Sequence, residues 1–227
     1  MSYNYYGGAP PEPRRGCGLG CGFWLGLLLI LLLGAAGYGY YAYLSFQRAY
    51  PHLQAGYDLS SSETITITNK LNNPQSLQVQ DFDQASQNFS KANQEFEAAK
   101  NELRFVTPVL PYLGWLPTYG PDLAAAPHML NMATSLTAAA TSVSEGGKQM
   151  ANEAGKGSPL KTVIAAGANQ LDAARNQLNL AQAERDQIDP NKLYTPELRD
   201  ALTKYDSAAK SFKDQVQKLL DIAKSGG

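Results

Sequence analysis

The amino-acid sequence predicts an all-α protein, in which a single transmembrane helix continues into an elongated, extracytoplasmic, antiparallel helical bundle of coiled-coil-like hairpins. Two observations lead to this fold class. Every residue from Gly16 to Gln47 is uncharged, and beyond that segment apolar residues recur at alternating steps of three and four. The 227 residues carry a formal net charge of −1 at pH 7, so no electrostatic attraction to nucleic acid is expected.

The uncharged segment is long enough to cross a bilayer. Residues 17–45 form the predicted anchor, because they exceed the ~20 apolar residues that a transmembrane helix needs. A cleaved signal peptide is the alternative, but its apolar region is roughly 7–15 residues long and is followed by small residues. Here four tyrosines follow, as in the aromatic belt of a membrane surface; they are Tyr38, Tyr40, Tyr41 and Tyr43.

The charges beside the anchor predict its orientation. Arg14 and Arg15 precede it and Arg48 follows it, so the positive-inside rule places the N-terminus in the cytoplasm. Residues 1–16, rich in glycine and proline, form a predicted disordered cytoplasmic tail. We therefore expect a single-pass protein of the cell membrane whose C-terminal bundle lies outside the cytoplasm.

Three glycines at the cytoplasmic end of the anchor are evenly spaced. Gly18, Gly22 and Gly26 repeat the small-xxx-small pattern that lets membrane helices approach closely. The pattern predicts a transmembrane seam of a homodimer, although chance produces the same spacing readily in a glycine-rich segment.

A helical stalk, kinked at Pro51, is predicted over residues 46–73. Its apolar positions are Phe46, Tyr50, Leu53, Tyr57, Ile67 and Leu71. Two helical hairpins follow, over residues 74–154 and 155–227, because short linkers make successive helices antiparallel neighbours.

Three of the four hairpin helices have regular apolar stripes. The first stripe comprises Phe82, Ala85, Phe89, Ala92, Phe96, Ala99, Leu103 and Val106. The second comprises Leu160, Ile164, Gly167, Leu171, Ala174, Leu178, Ala181, Arg185 and Ile188. The third comprises Leu198, Leu202, Tyr205, Ala209, Phe212, Val216, Leu219 and Ala223. Such stripes indicate helices that pack along one face.

The remaining helix, from Asp122 to about Glu153, has a looser pattern rich in small residues, which predicts close packing. Its apolar positions are Leu123, Ala126, Leu130, Ala133, Ala140 and Val143. Ser158 before Pro159 and Thr195 before Pro196 are predicted N-terminal caps of the last two helices.

The segment 107–121 contains four prolines and no charge. A loop of this composition is either buried or in contact with an apolar surface. In one interpretation its aliphatic residues Val109, Leu110, Leu113 and Leu116 cap the end of the bundle. In the other, the loop meets the membrane or a partner, and the candidate contact residues are Tyr112, Leu113, Trp115, Leu116 and Tyr119.

The sequence contains no recognisable catalytic, cofactor-binding or metal-binding motif. Its only histidines are His52 and His128, and no cysteine occurs beyond Cys21. No phosphate-binding loop, dinucleotide fingerprint or nucleophilic-serine motif occurs either. We therefore expect no enzymatic activity and no cofactor.

From Val109 to Ala126 the chain reads Val-Leu-Pro-Tyr-Leu-Gly-Trp-Leu-Pro-Thr-Tyr-Gly-Pro-Asp-Leu-Ala-Ala-Ala. This stretch, with the Ile-Asp-Pro-Asn-Lys-Leu and Thr-Pro-Glu-Leu-Arg segments that begin at Ile188 and Thr195, resembles the bacterial membrane family catalogued as domain of unknown function 4012. The resemblance covers most of residues 19–224 and is most specific in the proline-rich loop. It implies a bacterial envelope protein without assigning an activity. Members usually continue into a larger extracytoplasmic domain, whereas this chain stops at Gly227, so it is expected to be a short or a truncated form.

These observations predict a structural, tethering or interaction scaffold in the bacterial cell envelope. The expected partners are the lipid bilayer, a membrane or envelope protein, and a second copy of the chain. A sensor ectodomain is the main alternative, although the short cytoplasmic tail offers no output domain. A hydrolase of envelope glycans is a further alternative, which would need two carboxylates in a cleft.

Overall fold

The computed structural model describes residues 20–71 and 78–224, and within them it contains helices and turns but no β-strand. The helices are α1, Gly20–Leu71; α2, Val79–Glu102; α3, Gly120–Ala154; α4, Leu160–Arg185; and α5, Pro196–Lys224. A single turn of 3-10 helix, Leu110–Leu113, lies between α2 and α3. The all-α prediction is confirmed for the described residues.

The chain forms two compact units, Met1–Tyr43 and Leu44–Gly227. In the first unit, the α1 side chains from Ile30 to Leu33 are exposed. Over residues 20–71 and 78–224, no helix combines the length and the hydropathy needed to cross a bilayer. The anchor predicted at residues 17–45 stays a prediction.

Two predictions near the N-terminus fall partly or wholly outside the described residues. The cytoplasmic tail, residues 1–16, lies outside them, as does Gly18 of the glycine seam. Gly22 and Gly26 belong to the first two turns of α1.

In the second unit, each helix packs antiparallel to the helix that follows it. Residue pairs in contact show this directly, because the residue number rises in one helix as it falls in the other. For α1 and α2 the pairs are His52 with Glu95 and Glu63 with Asn88, and for α2 and α3 they are Asp83 with Lys148 and Asn93 with Thr137. For α3 and α4 they are His128 with Glu184 and Gly146 with Gly167, and for α4 and α5 they are Arg175 with Gln217 and Arg185 with Asp206.

The stripe of α2 is buried as predicted. Ala85, Phe89, Ala92, Phe96 and Ala99 are all buried, and Leu103 and Val106 continue the stripe just beyond the helix. At the start of the helix, the Asp81 carboxylate accepts a hydrogen bond from the Gln78 backbone amide at 2.9 Å. The Gln78 amide has no partner within the helix, so the Asp81 carboxylate satisfies it.

α3 is the central helix, because it packs against both α2 and α4. It therefore buries polar and small residues as well as apolar ones: Thr134, Thr137, Ser144, Gly146 and Gly147 are buried. Of the apolar positions predicted for this helix, only Leu130 is buried, and the others are half-buried. Because many of the buried positions of α3 are glycine, serine or threonine, hydropathy shows no continuous apolar stripe there.

The stripe of α4 is largely buried as predicted. In α5 only Leu202 and Val216 of the predicted stripe are buried, and four other positions are half-buried: Leu198, Tyr205, Ala209 and Phe212. Leu160 is exposed, because α4 begins at this residue and its first turn extends past the neighbouring helices. Ser158 does not cap α4, because the helix begins at Leu160 after Pro159 and the Ser158 hydroxyl donates to Glu153. Thr195 directly precedes α5; its carbonyl accepts the Leu198 amide at 3.2 Å, and its hydroxyl donates to Asp122. The side chains of Leu219 and Ala223 lie outside the described set.

The predicted stalk stripe is wrong at three positions of α1. Leu53 packs against a buried cluster as predicted, and the side chains of Ile67 and Leu71 lie outside the described residues. Ser45, Ala49, Gly56 and Glu63 face the bundle and are buried, whereas Phe46, Tyr50 and Tyr57 are exposed. Small side chains allow α1 to approach α2 closely; the Phe96 ring lies so near Gly56 that a Cβ there would come within 3.0 Å of it. Hydropathy favoured the aromatic residues, but the close packing of the two helices selects the small ones.

Candidate functional site

The loop between α2 and α3 is folded and internally hydrogen-bonded. The Thr107 hydroxyl donates to the Leu103 carbonyl at 2.7 Å, and the Leu116 amide donates to the Leu113 carbonyl at 2.9 Å. The Gly120 amide closes the loop by donating to the Leu116 carbonyl at 3.2 Å. These bonds satisfy backbone groups locally, which lets an uncharged, proline-rich segment hold one conformation.

The aliphatic and aromatic side chains of this loop lie on different faces. Val106 and Leu110 are buried, and Leu113 and Leu116 are half-buried. By contrast, the exposed fraction is 79% for Tyr112, 77% for Trp115 and 58% for Tyr119. Burial thus divides the loop: its aliphatic side chains are buried or half-buried, and its aromatic side chains are exposed.

Two backbone features hold this arrangement. Thr118 has a φ of 70°, a left-handed conformation that is uncommon for a residue with a side chain. Two residues later, a Cβ on Gly120 would lie only 2.7 Å from the Leu113 carbonyl oxygen. Only glycine allows the start of α3 to pass this close to the 3-10 turn.

The turn between α4 and α5 is attached to the start of α3 by Asp122. Its carboxylate accepts hydrogen bonds from the Tyr194 amide at 2.8 Å, from the Thr195 amide at 3.1 Å and from the Thr195 hydroxyl. Partial burial raises the pKa of Asp122, but these hydrogen bonds and the nearby Arg199 charge outweigh it and lower the pKa below its ordinary value of 3.8. Asp122 is thus held as a carboxylate that joins two loops.

This attachment brings a fourth exposed aromatic residue, Tyr194, to the group. The Tyr194 and Tyr119 rings meet edge to face, with centroids 5.1 Å apart and planes at 75°. Phe105, with the Arg104 guanidinium 4.6 Å from its ring centroid, is also exposed. Sequence reasoning missed Tyr194 and Phe105, because neither lies within residues 107–121.

We call this surface the aromatic end; it comprises Phe105, Tyr112, Trp115, Tyr119 and Tyr194. It lies at the end of the second unit where Leu44 enters, because Leu103, just before the loop, belongs to the same buried cluster as Ala49. The α4–α5 turn shares this end through Asp122.

The polar groups of the bundle are engaged in contacts between helices. His52 Nδ1 lies 2.6 Å from a Glu95 carboxylate oxygen, and His128 Nδ1 lies 2.7 Å from a Glu184 oxygen. Among the residues described, no group of three His, Cys, Asp or Glu side chains is arranged to hold a metal ion.

An open groove of about 460 Å³ lies between α4 and α5. Arg185 and Asp206 line this groove. Two Arg185 nitrogens donate to the two Asp206 carboxylate oxygens at 2.8 and 2.6 Å, and a third donates to the Ile188 carbonyl at 2.8 Å. The Asp206 hydrogen bonds raise the pKa of Arg185, although desolvation opposes them. The charges of the groove therefore stabilise the α4–α5 hairpin.

No family model, curated protein or solved structure matches this chain. The five contact residues predicted from the sequence do lie together on one loop, with three exposed and two half-buried. We treat the aromatic end as the candidate functional site, because it combines exposed apolar side chains with a fixed backbone.

Proposed function

We propose that this protein is a single-span, membrane-anchored helical bundle that acts as a structural or tethering scaffold in the bacterial cell envelope. The observation that carries the proposal is the uncharged segment 16–47, which continues into a helix of the bundle without a break in helical structure from Gly20 to Leu71. A span of this kind holds a bundle at the bilayer more firmly than a surface charge or a single lipid does.

The arrangement of charges favours a scaffold over an enzyme. A glycan hydrolase needs one carboxylic acid and one carboxylate placed on either side of a bound sugar. In the α4–α5 groove, however, both oxygens of Asp206 are bound by Arg185, so this carboxylate is not available to act as acid or nucleophile. The sensor alternative would use the same groove for a small ligand, and ligand-dependent stabilisation of the purified protein would favour it.

The exposed face of α1 provides an interaction surface suited to a scaffold. Phe46, Tyr50 and Tyr57 lie along it at steps of four and seven residues, the spacing of a helix that packs against another helix. The charged residues of this part of α1, Arg48 and Asp58, lie outside these positions. We propose that a second copy of the chain packs here, since two identical uncharged stripes can meet in register about a two-fold axis.

Site-specific photo-crosslinking in membranes tests this role. A benzophenone amino acid replaces Tyr50 or Tyr57 in the full chain, with Asp58 as the matched control, since Asp58 is also exposed but lies on a neighbouring face. We expect one product of twice the chain's mass from Tyr50 and Tyr57 and little from Asp58. Monomer alone from all three positions would contradict self-association, and loss of the protein from the membrane fraction would contradict the anchor.

The resemblance to the domain of unknown function 4012 family supports the envelope location and stays a prediction. It rests chiefly on Val109 to Ala126, which includes most of the aromatic loop. The bacterial cell envelope is proposed from this resemblance alone, whereas the anchored bundle is proposed from the uncharged segment and the helices of this chain.

A further inference from the structure

We propose that the aromatic end binds a lipid bilayer, with its aromatic side chains in the headgroup layer. This inference depends on the proposed membrane anchor and adds a second contact surface, with its residues, to it. The surface includes Tyr194 and Phe105, which lie outside the proline-rich loop.

The aromatic end lies at one end of the second unit. The chain enters this unit at Leu44, and Ala49 packs with Phe96, Ala99 and Leu103. Leu103 immediately precedes the loop. Five residues of helix separate Ala49 from Leu44, a rise of about 7.5 Å. The loop therefore lies at the same end of the second unit as Leu44.

The exposed side chains of the aromatic end are of the kind found at membrane surfaces. Tyrosine and tryptophan combine an apolar ring with a polar group, and they concentrate at the boundary between acyl chains and headgroups. Tyr112, Trp115 and Tyr119 each expose more than half of their surface, and no charged residue occurs from Phe105 to Pro121. The segment therefore carries no charged side chain toward the acyl chains, where a charge is costly.

The backbone of the aromatic end is folded before any binding. The loop is closed by its own hydrogen bonds, and Asp122 fixes Tyr194 beside Tyr119. Because the loop backbone is fixed before binding, little backbone conformational entropy is lost when the aromatic rings enter the interface. A protein partner is the other conceivable occupant, and the experiment is designed so that binding to lipid alone decides between them.

Fluorescence of Trp115 in pure lipid vesicles tests the inference. The chain has two tryptophans, so Trp24→Phe leaves Trp115 as the only one. The full-length variant is reconstituted into vesicles with and without lipids brominated near the headgroup end of the acyl chain. The matched control is Trp24→Phe/Trp115→Phe/Leu160→Trp, which places the reporter at an exposed apolar position on the opposite end of α4.

We expect brominated lipid to reduce Trp115 emission by about twofold and to leave emission from position 160 nearly unchanged, because only the aromatic end is in the interface. Co-flotation of the protein with the vesicles is measured in the same samples. Flotation with equal, weak quenching at both positions would overturn this inference while leaving the anchor intact. Failure to float would overturn the anchor itself.

Discussion

Asp122 and Tyr194 are 72 residues apart in the chain, and the Asp122 carboxylate accepts the Tyr194 backbone amide at 2.8 Å. This bond, with the two from Thr195, attaches the α4–α5 turn to the start of α3. It also sets Tyr194 edge to face against Tyr119. One carboxylate thus organises the surface that we propose to be the membrane contact.

Replacing Asp122 should destabilise the bundle. In Asp122→Asn the charge is lost and an amide NH2 group, which is a donor, replaces one carboxylate oxygen. The hydrogen bonds from Tyr194 and Thr195 are therefore weakened or broken, at a cost of about 1.5–3 kcal/mol. The measurement is urea unfolding of the full-length protein. Asp200→Asn, an exposed carboxylate on the first turns of α5, is the control and should change stability by less than about 0.5 kcal/mol. Equal effects of the two substitutions would contradict the role of Asp122.

The same pair of proteins should show a defined pH dependence. The pKa of Asp122 is lowered on folding from an ordinary value of 3.8. Its contribution is therefore complete above pH 3.8 and is lost as the pH falls through the lower, folded-state pKa. The stability difference between wild type and Asp122→Asn should be constant near neutral pH and should shrink below pH 3.8. A difference that grows on acidification would contradict the assignment.

The α3–α4 contact depends on glycine. A Cβ at Gly167 would lie 2.8 Å from the Gly146 carbonyl oxygen and 2.9 Å from Met150 Cγ. Gly167→Ala should therefore separate the two helices and cost about 1–3 kcal/mol of unfolding free energy. Gly155→Ala is the matched control: Gly155 has a helical φ of −62°, and a Cβ there would make only ordinary contacts at 3.5 Å.

This control should be neutral or should stabilise the protein by about 0.4–1 kcal/mol, because alanine restricts the unfolded chain. Thermal unfolding of both variants in one detergent is the measurement. If Gly167→Ala proved as stable as Gly155→Ala, the close packing of α3 on α4 would be wrong.

The sequence predicts the helices better than it predicts which faces they bury. The stripes of α2 and α4 could be found because apolar residues line a single face, as Phe89 and Leu171 do. For α1 the same logic failed, because Ala49 and Gly56 pack closely while Tyr50 and Tyr57 remain exposed. Hydropathy alone does not reveal that a close helix contact requires small side chains.

The candidate site was also predicted only in part. The unusual composition of residues 107–121 was visible in the sequence, and so were the aromatic residues within it. Tyr194 was not, because its place beside Tyr119 depends on a contact between segments that are far apart in the chain. Nothing in the sequence around Leu193 and Tyr194 predicts that this tyrosine lies beside the proline-rich loop.

The buried hydroxyl of Tyr205 predicts a stabilising substitution. Within the described part of the chain, this hydroxyl is buried and has no hydrogen-bond partner, and burial raises the pKa of Tyr205. Tyr205→Phe removes the unsatisfied group and keeps the ring, so stability should stay equal or rise by about 1 kcal/mol. Tyr57→Phe, at an exposed tyrosine, should have no effect. A clear loss of stability in Tyr205→Phe would reveal a hydrogen bond that this account lacks.

The α4–α5 hairpin should require arginine at position 185 and not merely a positive charge. Arg185 binds both Asp206 oxygens and the Ile188 carbonyl, a geometry that lysine does not reproduce. Arg185→Lys should lower stability by about 1.5–3 kcal/mol. Arg175→Lys is the control, since Arg175 makes one close ion pair, with Asp172, within its own helix. Similar losses at both positions would contradict the special role of Arg185.

The orientation of the chain is tested most directly by a pair of reporter fusions after Gly227. One reporter is an enzyme that is active only outside the cytoplasm, and the other is a protein that fluoresces only inside it. We predict enzymatic activity and no fluorescence, since residues 17–45 are proposed to cross the membrane with the N-terminus inside. A Leu28→Arg/Leu31→Arg control should abolish the activity, because each arginine near the centre of a span costs about 2.5–3.5 kcal/mol. Fluorescence without enzymatic activity in the unmodified chain would contradict the account.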